Sequence, residues 1–451
     1  MSKMGRRCIW LVALIGAAWL PASPEPEART LPETPALDLS WWRGFKDPRL
    51  DTLLAEALGK NPDVRIAAAR LGIAEAGLGF LRANRRPSLD LDAGVGVRKY
   101  TPTAKYQDPD INRPGLELTA GYAVDLWGRF VRDEQAGVAD WRAAAEDVTS
   151  ARLALAAEVG GTWFALRANR SLLDILGNRL DRARELLAVL RAREGAGLDP
   201  VDNSISQTGL IAQLELELSA LREIRAHLDH RLSSLRGLSV TETDLPAVPP
   251  LGPLESLALP PDLNTGLLAQ RPDVRAAALR IQAEQGRVGV AKAGTLPSLT
   301  LLGKGFFTGD SLRELLRGGS LEGFLAAQVK IPFLDGGRSR TQLDSARASL
   351  ALAAEEYSAV VVRAFEESAD ALSNAEAAQA RLGAANRLVD ASTRGVALVE
   401  QRKAAGLADR LAALRVQDHC SQAQEEAVRA QLSFLKAQIE VALALAIGAP
   451  R

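Results

Sequence analysis

Of the three histidines, His227 and His230 stand three positions apart. On a helix that spacing puts both imidazoles on one face, which is how a metal site can begin. The third, His419, is far away in sequence and no further ligand cluster accompanies the pair, so solvated helix positions are the better reading. Gly94-Val-Gly96 lacks the third glycine and the following helix of a nucleotide-binding loop. No Gly-x-Ser-x-Gly elbow occurs. The only cysteines are Cys8 and Cys420. Cys8 falls in an N-terminal leader, so neither an internal disulfide nor a cysteine metal site is expected in the mature chain. These residues give no reason to expect an enzyme, a cofactor or a bound metal.

What the sequence does carry is repetition. Asn61-Pro-Asp-Val-Arg65 returns as Arg271-Pro-Asp-Val-Arg275, and Pro87-Ser-Leu89 as Pro297-Ser-Leu299. Gly128-Arg129 returns as Gly337-Arg338, and Ala196-Gly-Leu198 as Ala405-Gly-Leu407. Matches in one order at nearly constant offset imply an internal duplication. Its copies are read as residues 23–238 and 262–451, joined by a Pro-rich linker at 239–261. Residues 1–22 have a basic head, a short apolar run and a Pro-rich exit, the pattern of a secretory signal. With 55 basic and 55 acidic residues there is no electrostatic reason to expect nucleic acid.

The repeated units alternate between two periods. Asp47 can cap a helix from Pro48 to about Gly59, and a second helix fits Pro62 to about Arg86. Residues 88–98 and 116–126 then alternate apolar and polar, as strands with two different faces do. The second copy offers strands at about 298–308 and 324–333. Arg129 to Ala196 holds no proline, and Leu173, Leu176, Leu180, Ala183, Leu187 and Leu190 form a heptad seam. A continuous helix there is on the order of 100 Å long. Gly195, Gly197 and Pro200 break it, and a return helix follows with Leu210, Leu214, Leu221, Ile224, Leu228, Leu232 and Leu235 on one side. The second copy has the same pair, about 339–404 and 409–447, around Gly406.

Four strands of about ten residues cannot close a membrane barrel alone, since such barrels start at eight strands. If they span a bilayer, each chain must lend staves to a shared ring, and three copies give twelve. The helices carry Arg and Glu throughout, so they pack side by side in water rather than cross lipid. The fold class expected is therefore mainly α with a membrane β part: long helical hairpins beyond the membrane and four strands per chain lent to a shared barrel. That barrel has eight strands from two chains or twelve from three, the wider lumen of twelve suiting a channel. The alternative is a periplasmic structural coiled-coil protein without a pore.

The chain resembles the outer membrane factor family, the TolC-like channels of tripartite efflux pumps, especially the nodulation-type branch. The residues that carry the resemblance are Trp42 with Phe45-Lys-Asp-Pro-Arg-Leu50, both Pro-Asp-Val-Arg stretches, Asp125-Leu-Trp-Gly-Arg129, and Phe333-Leu-Asp-Gly-Gly-Arg338. The resemblance implies a homotrimer with a twelve-stranded barrel in outer membrane lipid. It implies passive export of drugs or other small molecules delivered by an inner-membrane pump and a periplasmic adaptor. It places Asp125, Gly128, Arg129, Asp335, Gly336, Gly337 and Arg338 where strands pass into helices. It makes the hairpin tips the gate and adaptor contact, with Asp199, Asp202 and Asp409 as constriction carboxylates. Capping of the next helix is the plainer role for Asp199 and Asp202. The second tip has Ala412 and Arg415 where many such proteins have Asp, and Arg415 is expected to pair with Asp199 or Asp202. No cysteine suits lipid attachment after the leader.

Overall fold

The computed structural model describes residues 41–98, 111–239, 247–252, 257, 268–308 and 320–445. The expected leader, most of the expected linker, residues 99–110 of the expected loop between the first two strands, and residues 309–319 lie outside them. The helices are α1 (Pro48–Lys60), α2 (Pro62–Ala83), α3 (Arg129–Gly195), α4 (Val201–Leu235), α5 (Pro272–Gly294), α6 (Arg338–Ala404) and α7 (Arg410–Ala444). The strands are β1 (Ser88–Arg98), β2 (Ile111–Val124), β3 (Ser298–Thr308) and β4 (Ser320–Lys330). The duplication has kept its lengths: α3 and α6 both have 67 residues, and α4 and α7 both have 35.

The compact units are not the two copies. One unit takes residues 72–142 and 279–355, the other 36–71, 143–278 and 356–451.

The first unit holds the sheet. Its order is β1-β2-β3-β4, every neighbour antiparallel, with β2 of one copy against β3 of the other. β2 runs from Ile111 to Val124 where 116–126 was expected; it stops at Val124 because Asp125 leaves the ladder to accept from the Val131 amide in the first turn of α3. β4 likewise ends at Lys330 rather than about Phe333. In this unit small residues let helices approach closely. A Cβ on Gly137 of α3 would stand 2.6 Å from Leu81 of α2, and one on Gly286 of α5 would stand 2.9 Å from Ala136. Arg82 and Arg85 meet Glu134, and Arg287 meets Asp140.

The second unit holds the largest core. Trp41, Trp42, Phe45, Leu50 and Leu54 pack on Trp163, Phe164 and Leu166 of α3. Asp47 is buried at the centre. It accepts from the Arg49 and Leu50 amides, capping α1, and from Trp163 Nε1 at 2.7 Å and Arg167 Nη1 at 2.8 Å. The described part of the expected linker is pinned here. Leu251 is buried, its amide donates to Ser171 Oγ at 2.8 Å, and the Pro250 carbonyl accepts from Arg167.

The long helices of this unit stand in the side-by-side order α4-α3-α7-α6. Leu176, Leu180 and Ala183 of the seam meet Leu214 of α4. Leu186 and Leu190 turn to Leu414 of α7, and α7 meets α6 through Ala437 and Val441 against Ala371 and Ala375. One heptad seam thus serves two partners. Ile224, expected inside, is exposed on α4. Among the described residues no helix is long and apolar enough to cross a membrane.

The repeated Pro-Asp-Val-Arg stretch gains a role in this unit. Asn61 donates from Nδ2 to the carbonyl of Leu235, the last residue of α4, at 3.0 Å. Its counterpart Arg271 donates from Nη1 to the carbonyl of Ala444, the last residue of α7, at 3.1 Å. In each copy the residue before the proline satisfies an orphan carbonyl at the end of that copy's return helix.

Candidate channel-forming surfaces

In an antiparallel ladder, directly opposed residues point to the same side. The register therefore sorts the sheet into two faces. One carries the rows Leu91–Leu118, Leu89–Ala120, Tyr122–Leu301–Ala327 and Val124–Leu299–Val329. The other carries Asp92–Glu117–Phe306–Glu322, Asp90–Thr119–Lys304–Phe324 and Thr300–Gln328. Lys304 and Glu117 form an ion pair on this second face. The described residues of the first face are all apolar, apart from the Tyr122 hydroxyl. No described strand side chain enters a hydrophobic cluster, and Leu91 and Leu325 are 63% and 92% exposed. An apolar band with a polar reverse, on strands of 11 residues, is the pattern of a lipid-facing wall. The outer strands β1 and β4 keep one unpaired edge each, which no bilayer tolerates unless another strand covers it.

Where strands pass into helices the two copies agree again. The Leu126 amide donates back to the Val124 carbonyl and the Phe333 amide to the Ile331 carbonyl, a tight turn after each strand. Gly128, Gly336 and Gly337 have positive φ. Asp125 accepts from the Val131 amide at 3.2 Å, and Asp335 from the Gly337 and Ser339 amides at 3.0 and 2.9 Å. The Ser339 hydroxyl and amide hold the Asp335 carboxyl below its ordinary range. The expected junction residues are thus caps and turns. Arg129 and Arg338 open the helices, exposed, with Arg129 beside the Phe130 ring.

At the tips, Gly197 and Gly406 have φ +71° and +72°. Each closes a helix with paired bonds, Leu198 to Arg193 and Gly197 to Glu194 in one copy, Leu407 to Arg402 and Gly406 to Lys403 in the other. Of the expected carboxylates, Asp409 caps α7 through the Ala412 amide at 2.8 Å. Asp199 does not cap. It meets Arg193 Nε at 2.6 Å, and Arg193 also reaches Asp409 at 3.5 Å, joining the two tips. Asp202 lies in the first turn of α4, and Arg415 is exposed. The partner Asp199 takes within the chain is therefore Arg193, not Arg415, because Arg193 lies one turn before the bend that brings Asp199 back over it. Asp199 and Asp409 together hold the Arg193 guanidinium more firmly protonated, Asp199 foremost.

Sequence reasoning missed Arg193. It also missed the buried Arg179, which binds Asp418 at 3.0 Å and Glu425 at 2.8 Å between α3 and α7. Asp418 and Glu425 are seven apart, and polar residues repeated at that interval were the available signal. His227 and His230 are on α4 with ring centres 6.5 Å apart. Among the described residues no group of three potential ligands gathers around a metal position. Cys420 is buried, its sulfur 3.9 Å from the Thr393 hydroxyl.

Comparison with known proteins is consistent with this geometry. The outer membrane efflux protein family matches the chain twice, at residues 53–237 and 265–449, one match to each copy of the duplication. The solvent efflux pump outer membrane protein SrpC of Pseudomonas putida is 28% identical over 406 residues, covering 90% of this chain and 86% of that one. The pyoverdine export outer membrane protein OpmQ of Pseudomonas aeruginosa is 26% identical over 418 residues, covering 90% and 87%. Among solved structures, the outer-membrane channel OprN superposes with a TM-score of 0.80 at 26% identity, covering 91% of this chain and 92% of that one. The outer membrane protein VceC of Vibrio cholerae superposes with a TM-score of 0.77 at 25% identity, covering 91% and 98%. The fold is that of the TolC-like channels, and the expected pore-free coiled-coil alternative falls with it. The chain belongs to the outer membrane efflux protein family, and it is an outer-membrane channel protein of efflux.

Proposed function

We propose that three copies of this chain close into one twelve-stranded barrel and one ring of long helices, and that small molecules leave the cell through the enclosed bore. The supporting observation is the sheet itself: one face apolar and bare, the other polar, and one edge of each outer strand unpaired. A neighbour's β4 beside β1 would satisfy both edges without breaking the antiparallel alternation. The helical order α4-α3-α7-α6 likewise leaves α4 and α6 as outer members, with Leu216 and Leu388 exposed on them. In this reading the chain catalyses nothing. An inner-membrane pump supplies the energy and a periplasmic adaptor meets the hairpin tips. Asp199, Asp202, Asp409 and Arg415 are the gate and adaptor residues of the proposal, with Arg193 as the strap that holds the two tips of one chain together.

The test is conductance of the purified protein in a planar bilayer. The expected result is a low-conducting wild type and a several-fold higher conductance for Arg193→Ala, since a guanidinium that ties two bends is removed while helix and turn remain. Absence of any channel activity in both proteins, with the protein folded and inserted, overturns the reading.

A further inference from the structure

A cleft of about 720 Å³ lies at the helix end of the strands, lined by Trp127, Arg129, Phe333, Leu334 and Arg338 among others. Phe333 and Leu334 are 94% and 92% exposed, an unusual state for large apolar side chains in a turn that precedes a charged helix. Neither α3 nor α6 has an acidic residue in its first turn. Both open instead on an exposed arginine, against the preference of the helix dipole. Asp125 and Asp335 line the same cleft, yet both are engaged as caps by backbone amides. The cleft therefore sets three cations, Arg129, Lys330 and Arg338, against the two carboxylates, and is rimmed with exposed apolar side chains.

A second depression, of about 450 Å³, lies on the apolar face of the sheet, bordered by Tyr122, Leu301, Leu325 and Ala327 with Ala120 and Gly303 as its floor. It begins one pleat along from the cleft, since Val124 and Leu299 line the cleft and Tyr122 and Leu301 line the depression. The surface thus presents, in order along the strands, a cationic cleft and then an apolar furrow that already faces hydrocarbon. We propose that this is a lipid site: the phosphate of a glycerophospholipid in the leaflet on the helix side sits between Arg129 and Arg338, and an acyl chain lies in the furrow over Gly303. The matching order of charge and apolar surface and the continuity with the membrane face select this occupant. The inference rests on the outer-membrane placement of the sheet and not on the number of copies in the channel.

The experiment measures phosphatidylglycerol retained by the full-length, delipidated protein after detergent exchange, by native mass spectrometry. Arg129→Gln/Arg338→Gln should lower retention by about tenfold or more, since each basic side chain near an anionic lipid contributes about fivefold. Gly303→Leu should also lower it. The added side chain meets Leu325 at 3.1 Å, and that exposed leucine can swing outward, so the furrow fills without harm to the sheet. Inorganic phosphate in millimolar excess should not displace the lipid. Equal retention in all three proteins overturns the site. Loss in the arginine variant alone, with displacement by inorganic phosphate, identifies a free-anion site and overturns the lipid. Planar-bilayer conductance of the same samples reports separately on the channel.

Discussion

At the residue scale, the positions that matter most are polar groups sealed by structure around them. Asp47 caps α1 and neutralises Arg167 inside the largest core. Asp47→Ala should lower stability by about 3–5 kcal/mol, because a buried guanidinium loses its counter-charge and a helix loses its cap. The shift in thermal midpoint, followed by intrinsic tryptophan fluorescence, measures it. A change within experimental error would show that Arg167 finds another partner. The Arg271–Asp273 pair adds a pH dependence. Burial opposes the charged carboxylate of Asp273, but bonding and attraction to Arg271 outweigh it, so its pKa lies below the ordinary value. The stability it contributes is present above about pH 4 and is lost as pH falls through the lower folded-state value. Asp273→Asn should flatten the fall in thermal midpoint as pH drops below about 4. Asp47 was legible as a cap because Asp-Pro is a local signal. Its bonds to Trp163 and Arg167 were not, since they join residues more than a hundred positions apart, and the same distance hid Arg179.

At the element scale, the hairpin bends depend on left-handed glycines. Gly197→Val and Gly406→Val should each cost about 1–2 kcal/mol locally. Faster amide exchange at residues 193–203 or 402–411 in the respective variant is the readout. Gly209→Ala is the control: this glycine lies inside α4 with open space around it, so the change should stabilise by about 0.5–1 kcal/mol. If all three variants exchange alike at the bends, the left-handed turns are not what holds the tips. Elements were the most readable part of this sequence. The switch from period two to heptads at Arg129, and the glycine breaks at Gly197 and Gly406, are strong local signals, and the helix ends fell within a few residues of expectation. The far end of β2 moved because Asp125 accepts from an amide of α3 rather than continuing the ladder. Ile224 turned outward because the packed face of α4 runs through Leu214, Leu218, Leu221, Leu228 and Leu232, which leaves position 224 beside it.

At the scale of the whole molecule, the account turns on a sheet that is incomplete by itself. Leu118→Lys puts a charge in the middle of the apolar face. It should reduce folding into liposomes by about 2–4 kcal/mol, read from the folded fraction on an unboiled gel, while Glu117→Gln on the reverse face should insert normally. Alternation made the two faces visible in the sequence, and the count of four strands raised the question of closure. The pairing of β2 with β3 was not visible, because it joins strands from different copies of the duplication. The most direct measurement is the mass of the folded protein extracted from outer membranes in mild detergent, by native mass spectrometry. Three chains per particle is the expected result. A folded, membrane-extracted particle of one chain would leave the β1 and β4 edges open in lipid and contradict the account.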